Sequence, residues 1–199
     1  MMAKKIAVTG SLSSGKSTVC RFFKELGAYT VNADDIVHRL LAPTTEVSRQ
    51  VVDLFGSDIL TNGSIDRSKV AIKAFSDPLL LHALECLLHP LVRNEIEKEY
   101  QLWSTTYPLF IAEAPLLFET GSNVDYSVTI AVTASQEQCK KRFGKTRNHR
   151  ETTYHERVNR QLSGEEKASK ATYVIDNNCS LDELKATVAK LYAQLLVRE

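Results

Sequence analysis

The chain has 199 residues, of which 43% are hydrophobic and 25% charged, and its formal net charge at pH 7 is +1. This size suits one sizeable α/β domain with its own core. The near-neutral charge predicts no general affinity for nucleic acid or an anionic membrane, and no apolar run approaches the roughly 18 residues that span a bilayer. The chain enters a predicted strand at once, without the apolar segment of a signal peptide. We therefore expect a cytoplasmic protein.

Four cysteines are scattered singly along the chain, at Cys20, Cys86, Cys139 and Cys179. Their spacing matches neither a zinc or redox motif nor a disulfide framework. We expect reduced thiols, most of them buried, as is usual in a reducing cytoplasm.

A phosphate-binding loop opens the chain. Residues 10–18 match G-x-x-x-x-G-K-[ST] at every fixed position, after a short apolar run and before apolar residues at helical spacing. Strand, glycine-bounded loop and helix are the context that this motif requires. Backbone N–H groups of such a loop converge on anionic oxygens. Lys16 is expected to reach the outer phosphates, and the Ser17 hydroxyl is expected to bind Mg²⁺. The predicted ATP-binding residues are Ser13, Ser14, Gly15, Lys16, Ser17 and Thr18.

Two acids follow the second predicted strand, which covers residues 28–31. In open α/β sheets, ligands bind beyond the carboxyl ends of the strands, so Asp34 and Asp35 are expected near the mouth of the loop. An acid at this position also stabilises the first turn of the following helix. We favour that structural role for Asp35 and a catalytic role for Asp34.

The stretch from 34 to about 103 shows helical patterns and no strand signal, with a loop at 56–63. It predicts a helical insertion beside the sheet, whose last helix starts at Pro78. Pro90 is expected to kink or break that helix, because proline lacks the N–H and disfavours helical geometry at the residue before it. His89 either binds substrate or, as is more usual, packs or caps at the kink.

Three further strands are predicted at 108–113, 126–132 and 172–175. Five strands that alternate with helices predict an α/β fold, a doubly wound parallel sheet of the P-loop NTPase type. Glu113 ends one strand, where an acid can hold a water ligand of Mg²⁺. Capping boxes are expected at Ser135–Gln138, Thr153–Glu156, Ser163–Glu166 and Ser180–Glu183.

Residues 139–150 carry six Lys or Arg and no acid. Such a run is usually a solvated surface and sometimes a nucleic-acid patch, although aromatic residues are sparse here. After a phosphate-binding loop a third interpretation gains weight, because phosphoryl transfer spreads negative charge that arginines stabilise. We predict a basic lid at about 139–161, with Arg142 and Arg147 as catalytic residues and Gly144 as a hinge.

These motifs, and the absence of others, narrow the class of nucleotide-binding protein to which the chain is expected to belong. The chain lacks the N-K-x-D motif of GTPases and the long apolar strand, ending in aspartate, of mechanical ATPases. A small phosphotransferase remains. Asp34 then has a task, since a carboxylate accepts the proton of an acceptor hydroxyl as that oxygen attacks the γ-phosphorus.

Several short motifs occur together in one known family. They are VTG at 8–10, SGKST at 14–18, Ala33-Asp34 with Arg39, LHPLV at 88–92, PLLFE at 115–119, Gln161 and VIDNN at 174–178. With these motifs in this order and spacing, the chain resembles the dephospho-CoA kinase family from residue 4 to about residue 190. The resemblance implies transfer of the ATP γ-phosphate to the ribose 3′-hydroxyl of dephospho-coenzyme A, the last step of coenzyme A synthesis.

The resemblance also implies an organisation and a set of roles. One domain, 1–199, would comprise a nucleotide-binding core at about 1–33, 104–138 and 162–199, a helical CoA-side insertion at 34–103 and the lid at 139–161. Asp34 matches the family's base, and Lys16 and Ser17 match its phosphate and Mg²⁺ positions. Thr9 matches a family threonine beside the loop, and His89 lies in the family's CoA-side helices. Thr9, Asp34 and His89 are the predicted substrate-binding residues. The implied partners are ATP with Mg²⁺ and dephospho-CoA, with no nucleic acid or membrane, in a monomer or weak homo-oligomer.

Three residues depart from the family pattern. Ser11 and Ser13 replace two usual glycines, and a serine held at positive φ costs about 1 kcal/mol. Asn32 stands where the family often has an acid, and asparagine is a weaker Mg²⁺ ligand. Two alternatives stay open: another kinase of this architecture, acting on a nucleoside monophosphate or other small molecule, and an ATP-binding regulator without turnover. Asp34 favours an alcohol acceptor, because a phosphate acceptor needs arginines rather than a base.

Overall fold

The structure, a computed structural model, describes residues 2–145, 158 and 161–197. The chain forms two compact units, one of residues 1–32 and 98–199, the other of residues 33–97. The strands are β1 Lys4–Gly10, β2 Tyr29–Asn32, β3 Leu60–Thr61, β4 Ser64–Ile65, β5 Leu109–Glu113, β6 Val128–Thr133 and β7 Tyr173–Asp176. The helices are α1 Lys16–Glu25, α2 Ala33–Leu40, α3 Glu46–Phe55, α4 Arg67–Ser76, α5 Pro78–Trp103, α6 Gln136–Lys145, α7 Gly164–Lys170 and α8 Leu181–Leu196. Arg147 lies outside the described residues, as does the predicted capping pair Thr153–Glu156.

A five-stranded parallel sheet lies in the first unit, with spatial order β2-β5-β1-β6-β7. The predicted doubly wound sheet is confirmed. The four strands predicted with bounds, β2, β5, β6 and β7, each lie within two residues of those bounds. β5 is buried along its whole length, as expected for a strand covered on both faces, whose side chains read as a near-continuous apolar run. Helices α1 and α8 cover the sheet with the apolar side chains Val19, Phe22, Phe23, Leu184, Val188, Leu191 and Leu195.

The second unit has its own core, although it is not wholly helical. One core cluster of this unit consists of the buried apolar residues Leu41, Val51, Phe55, Ile59, Val70, Ala74 and Leu88. The prediction of a stretch without strands is wrong, because β3 and β4 form a small antiparallel hairpin. Asn62 and Gly63 connect these strands with φ of 51° and 76°. An Asn-Gly pair with both φ positive is the usual two-residue hairpin turn, so the signal was present in the predicted loop.

The prediction at Pro90 was a kink or a break in the helix. Helix α5 continues through Pro90, so the break is wrong. Proline removes one hydrogen bond from a helix. The remaining bonds on both sides keep this helix of 26 residues continuous.

No helix in the described part of the chain is long and apolar enough to cross a membrane.

Helices α7 and α8 begin with the predicted capping boxes, Ser163–Glu166 and Ser180–Glu183. The box predicted at Ser135 forms only in half. Gln138 N–H donates to Ser135 Oγ at 3.3 Å, whereas Ser135 N–H donates to Asn178 Oδ1 at 2.8 Å. Asn178, in the loop that follows β7, therefore accepts the hydrogen bond from Ser135 N–H that the Gln138 side chain accepts in a complete capping box. This contact joins the ends of β6 and β7, next to the candidate site.

Candidate functional site

The phosphate-binding loop connects β1 to α1, and its two motif glycines are required by space. A Cβ atom on Gly10 would lie 2.2 Å from the Val132 carbonyl oxygen, and one on Gly15 would lie 2.1 Å from Asn177 Nδ2. Gly15, at φ +103°, is also the N-cap of α1. Because glycine brings no side chain to this end, the first turn of α1 can face an anion.

Ser13 carries the strain that its replacement of a glycine predicts. Its φ is +61°, in the left-handed region, whereas Ser11 is not at positive φ. A residue with a side chain pays about 1–2 kcal/mol in that region. One of the two departures from the usual glycines therefore has an energetic cost and the other does not.

We expect Ser13→Gly to raise the free energy of unfolding by about 0.5–1 kcal/mol, because the relieved strain exceeds the added entropy of glycine in the unfolded chain. Urea unfolding measures this change. Ser11→Gly is the matched control and should lower the free energy of unfolding by about 0.4–1 kcal/mol. A loss of stability in both variants would contradict the assignment of strain to Ser13.

Lys16 lies across the loop and is only 8% exposed. Its Nζ donates hydrogen bonds to the carbonyl oxygens of Gly10 at 3.1 Å and Ser11 at 2.9 Å. The ammonium is thereby held inside the bend of the loop. A cation at this place, together with the loop's N–H groups, suits the binding of a polyphosphate.

Ser17, Glu113 and Asn32 form a cluster beside the loop. The Ser17 hydroxyl donates to Glu113 Oε1 at 2.9 Å, and the Asn32 amide donates to Glu113 Oε2 at 3.0 Å. Glu113 is only 6% exposed. A hydroxyl and a carboxylate are the oxygen ligands that Mg²⁺ takes in proteins, usually with several waters and substrate phosphates. Within the described ranges, no group of three or more His, Cys, Asp or Glu residues forms a metal site.

Arg142 lies on α6, the first helical part of the predicted lid, and contacts the loop directly. Its guanidinium donates to the Ser14 carbonyl oxygen at 3.3 Å and to the Asn177 carbonyl oxygen at 2.9 Å. Asn177, which follows β7, donates to the same Ser14 oxygen at 2.7 Å and is 6% exposed. Sequence reasoning missed this role of Asn177, although the motif VIDNN marked its position. Gly144, the predicted hinge, lies inside α6.

A second buried network surrounds Thr9. The Thr9 hydroxyl donates to the Pro115 carbonyl oxygen at 3.4 Å, and Lys167 Nζ donates to the same oxygen at 2.6 Å. Lys167 also pairs with Glu119 Oε1 at 2.9 Å, and this oxygen accepts a hydrogen bond from Leu162 N–H. The Lys167 side chain is completely buried. Its position in a charged stretch gave no sign of this, because lysine is seldom buried unless it is paired.

A cavity of about 500 Å³ adjoins the loop at Ser11 and Leu12. Residues 133–136, 161–165 and Asn178 line its other sides. This volume is typical of small-molecule sites.

The other predicted site residues that the structure describes belong to the second unit. Asp34 and Asp35 are exposed in the first turn of α2, and Asp34 comes two residues after the end of β2. His89 is partly buried in α5, and this burial lowers the pKa of its imidazole, although Glu85 opposes the shift. The first unit thus brings together Thr9, the loop and Arg142, while Asp34 and His89 are carried by the second unit.

The chain is similar to known proteins along nearly its whole length. A family model described as dephospho-CoA kinase matches residues 4–183. The chain is 46% identical over 198 residues to the dephospho-CoA kinase of Protochlamydia amoebophila, covering 98% of this chain and 97% of the relative. A crystal structure from Thermus thermophilus has a TM-score of 0.84 at 31% identity, covering 98% of this chain and 99% of the other.

The dephospho-CoA kinase from Campylobacter jejuni has a TM-score of 0.72 at 26% identity, covering 98% of each chain. The overall fold of this chain is thus similar to that of both solved structures along nearly its whole length. From the family model and these relatives, we conclude that the chain belongs to the dephospho-CoA kinase family.

Proposed function

We propose that this chain transfers the γ-phosphate of ATP to the ribose 3′-hydroxyl of dephospho-coenzyme A, which gives coenzyme A and ADP. This is the last step of coenzyme A synthesis. The observation that carries the proposal is the phosphate-binding loop with the Lys16 ammonium held inside it, in a chain of the dephospho-CoA kinase family.

Lys16 and the loop are proposed to hold the donor phosphates. Ser13, Ser14, Gly15, Ser17 and Thr18 complete this ATP-binding set. Arg142 lies against the Ser14 carbonyl oxygen, from where a guanidinium would stabilise charge on the transferred group. Arg147 is proposed to act in the same way from the lid at 139–161.

Mg²⁺ is the proposed cofactor, and the residues beside the loop fit it. Ser17 would bind the ion, and the Glu113 carboxylate would accept hydrogen bonds from its water ligands. When bound, Mg²⁺ neutralises charge on the phosphate oxygens. Ser17 and Glu113 already contact each other at 2.9 Å, so the chain provides both oxygen groups in one place.

Asp34 is proposed as the base. Its carboxylate would accept the proton of the 3′-hydroxyl while that oxygen bonds to the γ-phosphorus and the bond to ADP breaks. Thr9 and His89 are proposed to bind the acceptor, the latter from the CoA-side insertion at 34–103. Because burial lowers the pKa of His89, this imidazole would act as a neutral hydrogen-bonding group at neutral pH.

We further propose that the enzyme works in the cytoplasm as a monomer or weak homo-oligomer. The four cysteines are unpaired, with Cys20 and Cys139 buried and Cys86 and Cys179 exposed. Burial raises the pKa of Cys20 well above that of an ordinary thiol, and the nearby Glu113 adds to this shift. Unpaired thiols suit a reducing compartment.

The test is ADP release with Mg·ATP and a panel of acceptors: dephospho-CoA, AMP, CMP, shikimate and none. We expect strong stimulation by dephospho-CoA alone, with coenzyme A as the product. Stimulation by another acceptor would overturn the substrate and keep the chemistry. Tight ATP binding without turnover on any acceptor would contradict an enzyme and favour a regulator.

A further inference from the structure

Asn32 replaces the acid that the family often carries, and its contacts point to a different task from metal binding. β2 and β5 are parallel neighbours whose register sets Asn32 beside Glu113. The Asn32 amide nitrogen donates to Glu113 Oε2 at 3.0 Å, while Ser17 Oγ donates to Oε1 at 2.9 Å. The two oxygens of one buried carboxylate are thus held by two different donors.

The chemistry of the pair distinguishes asparagine from aspartate. An ionised carboxylate only accepts hydrogen bonds, whereas an asparagine amide group donates them. Aspartate at position 32 would set two acceptors against each other in a place where Glu113 is only 6% exposed to water. Such a pair has no donor between its oxygens, and like charges repel more strongly where water is excluded. Asn32 therefore suits Glu113 as a donor.

We propose that Asn32 is a positioning residue for Mg²⁺ that acts through Glu113. By holding Oε2, the Asn32 amide fixes the rotation of the carboxylate and keeps Oε1 directed at Ser17. The negative charge offered to the ion then comes from Glu113 on β5, and Asn32 is not a ligand. This inference rests on the proposed function for the use of Mg·nucleotide, but it does not depend on the acceptor.

The experiment measures ADP binding by calorimetry, with and without Mg²⁺ and without any acceptor. The ratio of the ADP affinity with Mg²⁺ to the ADP affinity without it reports the contribution of the metal. A general loss of structure would weaken both affinities, whereas a loss of metal positioning would lower the ratio. Partners that orient a metal-binding group typically change metal affinity by about 10–100-fold when they are removed. We expect Asn32→Leu, which keeps the shape and removes the donor, to lower the ratio at least about tenfold.

Three variants sharpen the test. Asn32→Asp should also lower the ratio, because it opposes Glu113. The exchange Asn32→Asp with Glu113→Gln keeps one amide and one carboxylate but moves the charge to β2, and it should not restore the ratio. Thr30→Val, on the same strand, is the control and should leave the ratio unchanged.

Four outcomes would overturn the inference: an unchanged ratio in Asn32→Leu, a higher ratio in Asn32→Asp, full restoration by the exchange, or a wild-type ratio of one. A higher ratio in Asn32→Asp would make position 32 a direct ligand. The acceptor panel separates this result from the proposed function, because ADP binding is measured here without dephospho-CoA. Failure of dephospho-CoA as acceptor would leave these ratios interpretable.

Discussion

Asp34→Asn should lower the rate of coenzyme A formation at least about a hundredfold, the lower range for a positioned acid–base group. An amide has nearly the same shape as the carboxylate but does not accept the hydroxyl proton. ATP affinity should be unchanged, because Asp34 is not part of the phosphate-binding loop and is exposed in the first turn of α2. Single-turnover kinetics give the rate of transfer, and equilibrium binding gives the ATP affinity.

Asp35→Asn is the matched control for this experiment. Asp35 occupies the same turn, is also exposed and would lose the same charge, so turnover should remain within about twofold because a change to a surface residue away from the chemistry has little effect. Near-normal turnover in Asp34→Asn would contradict the role of Asp34 as the base. Equal losses in both variants would assign the effect to the charge of the helix end.

The second large effect concerns stability. Lys167→Met should lower the free energy of unfolding by about 3–5 kcal/mol, since removing one partner leaves a charge without its counterion in the interior. Methionine keeps the apolar stem of the side chain, but Glu119, only 16% exposed, loses its cation at 2.9 Å. The single tryptophan, Trp103, stacks on Tyr29 in the same unit. Urea unfolding followed by its fluorescence therefore reports the affected unit.

Two further variants test the cause of that loss. Lys167→Met combined with Glu119→Gln should recover most of the stability, because glutamine is uncharged and still accepts the hydrogen bond from Leu162 N–H. Lys170→Met, on the exposed face of the same helix, should change the free energy of unfolding by no more than about 0.5 kcal/mol. A stable Lys167→Met variant, or a double variant as unstable as the single one, would contradict a role for the ion pair.

Features that depend on near neighbours in the chain were predictable. The phosphate-binding loop is one, because its glycines, Lys16 and flanking strand follow one another at fixed spacing. The capping boxes at Ser163 and Ser180 are others. The hairpin turn at Asn62-Gly63 was also open to prediction, but its two-residue strands are too short to show an alternating pattern.

Contacts between distant parts of the chain were not predictable from patterns. Asn177 and Arg142 meet the Ser14 carbonyl oxygen only after the sheet and α6 are assembled. The burial of Lys167 depends on a partner, Glu119, that lies on a separate connection. At Pro90 the rule that proline interrupts a helix did not hold, because one lost hydrogen bond does not end a helix that continues on both sides. The catalytic roles of Asp34, Arg142 and Arg147 stay predictions.

The central place of β1 has a consequence for the order of folding. Lys4 pairs with Leu109, and Ile6 pairs with both Ile111 and Val128. The strand that carries the phosphate-binding loop is thus made first, yet both of its neighbours come from the second half of the chain. Closing such long connections costs entropy before any pairing is gained, which slows folding. During synthesis, the nascent loop therefore has no sheet to hold it until β5 and β6 have left the ribosome.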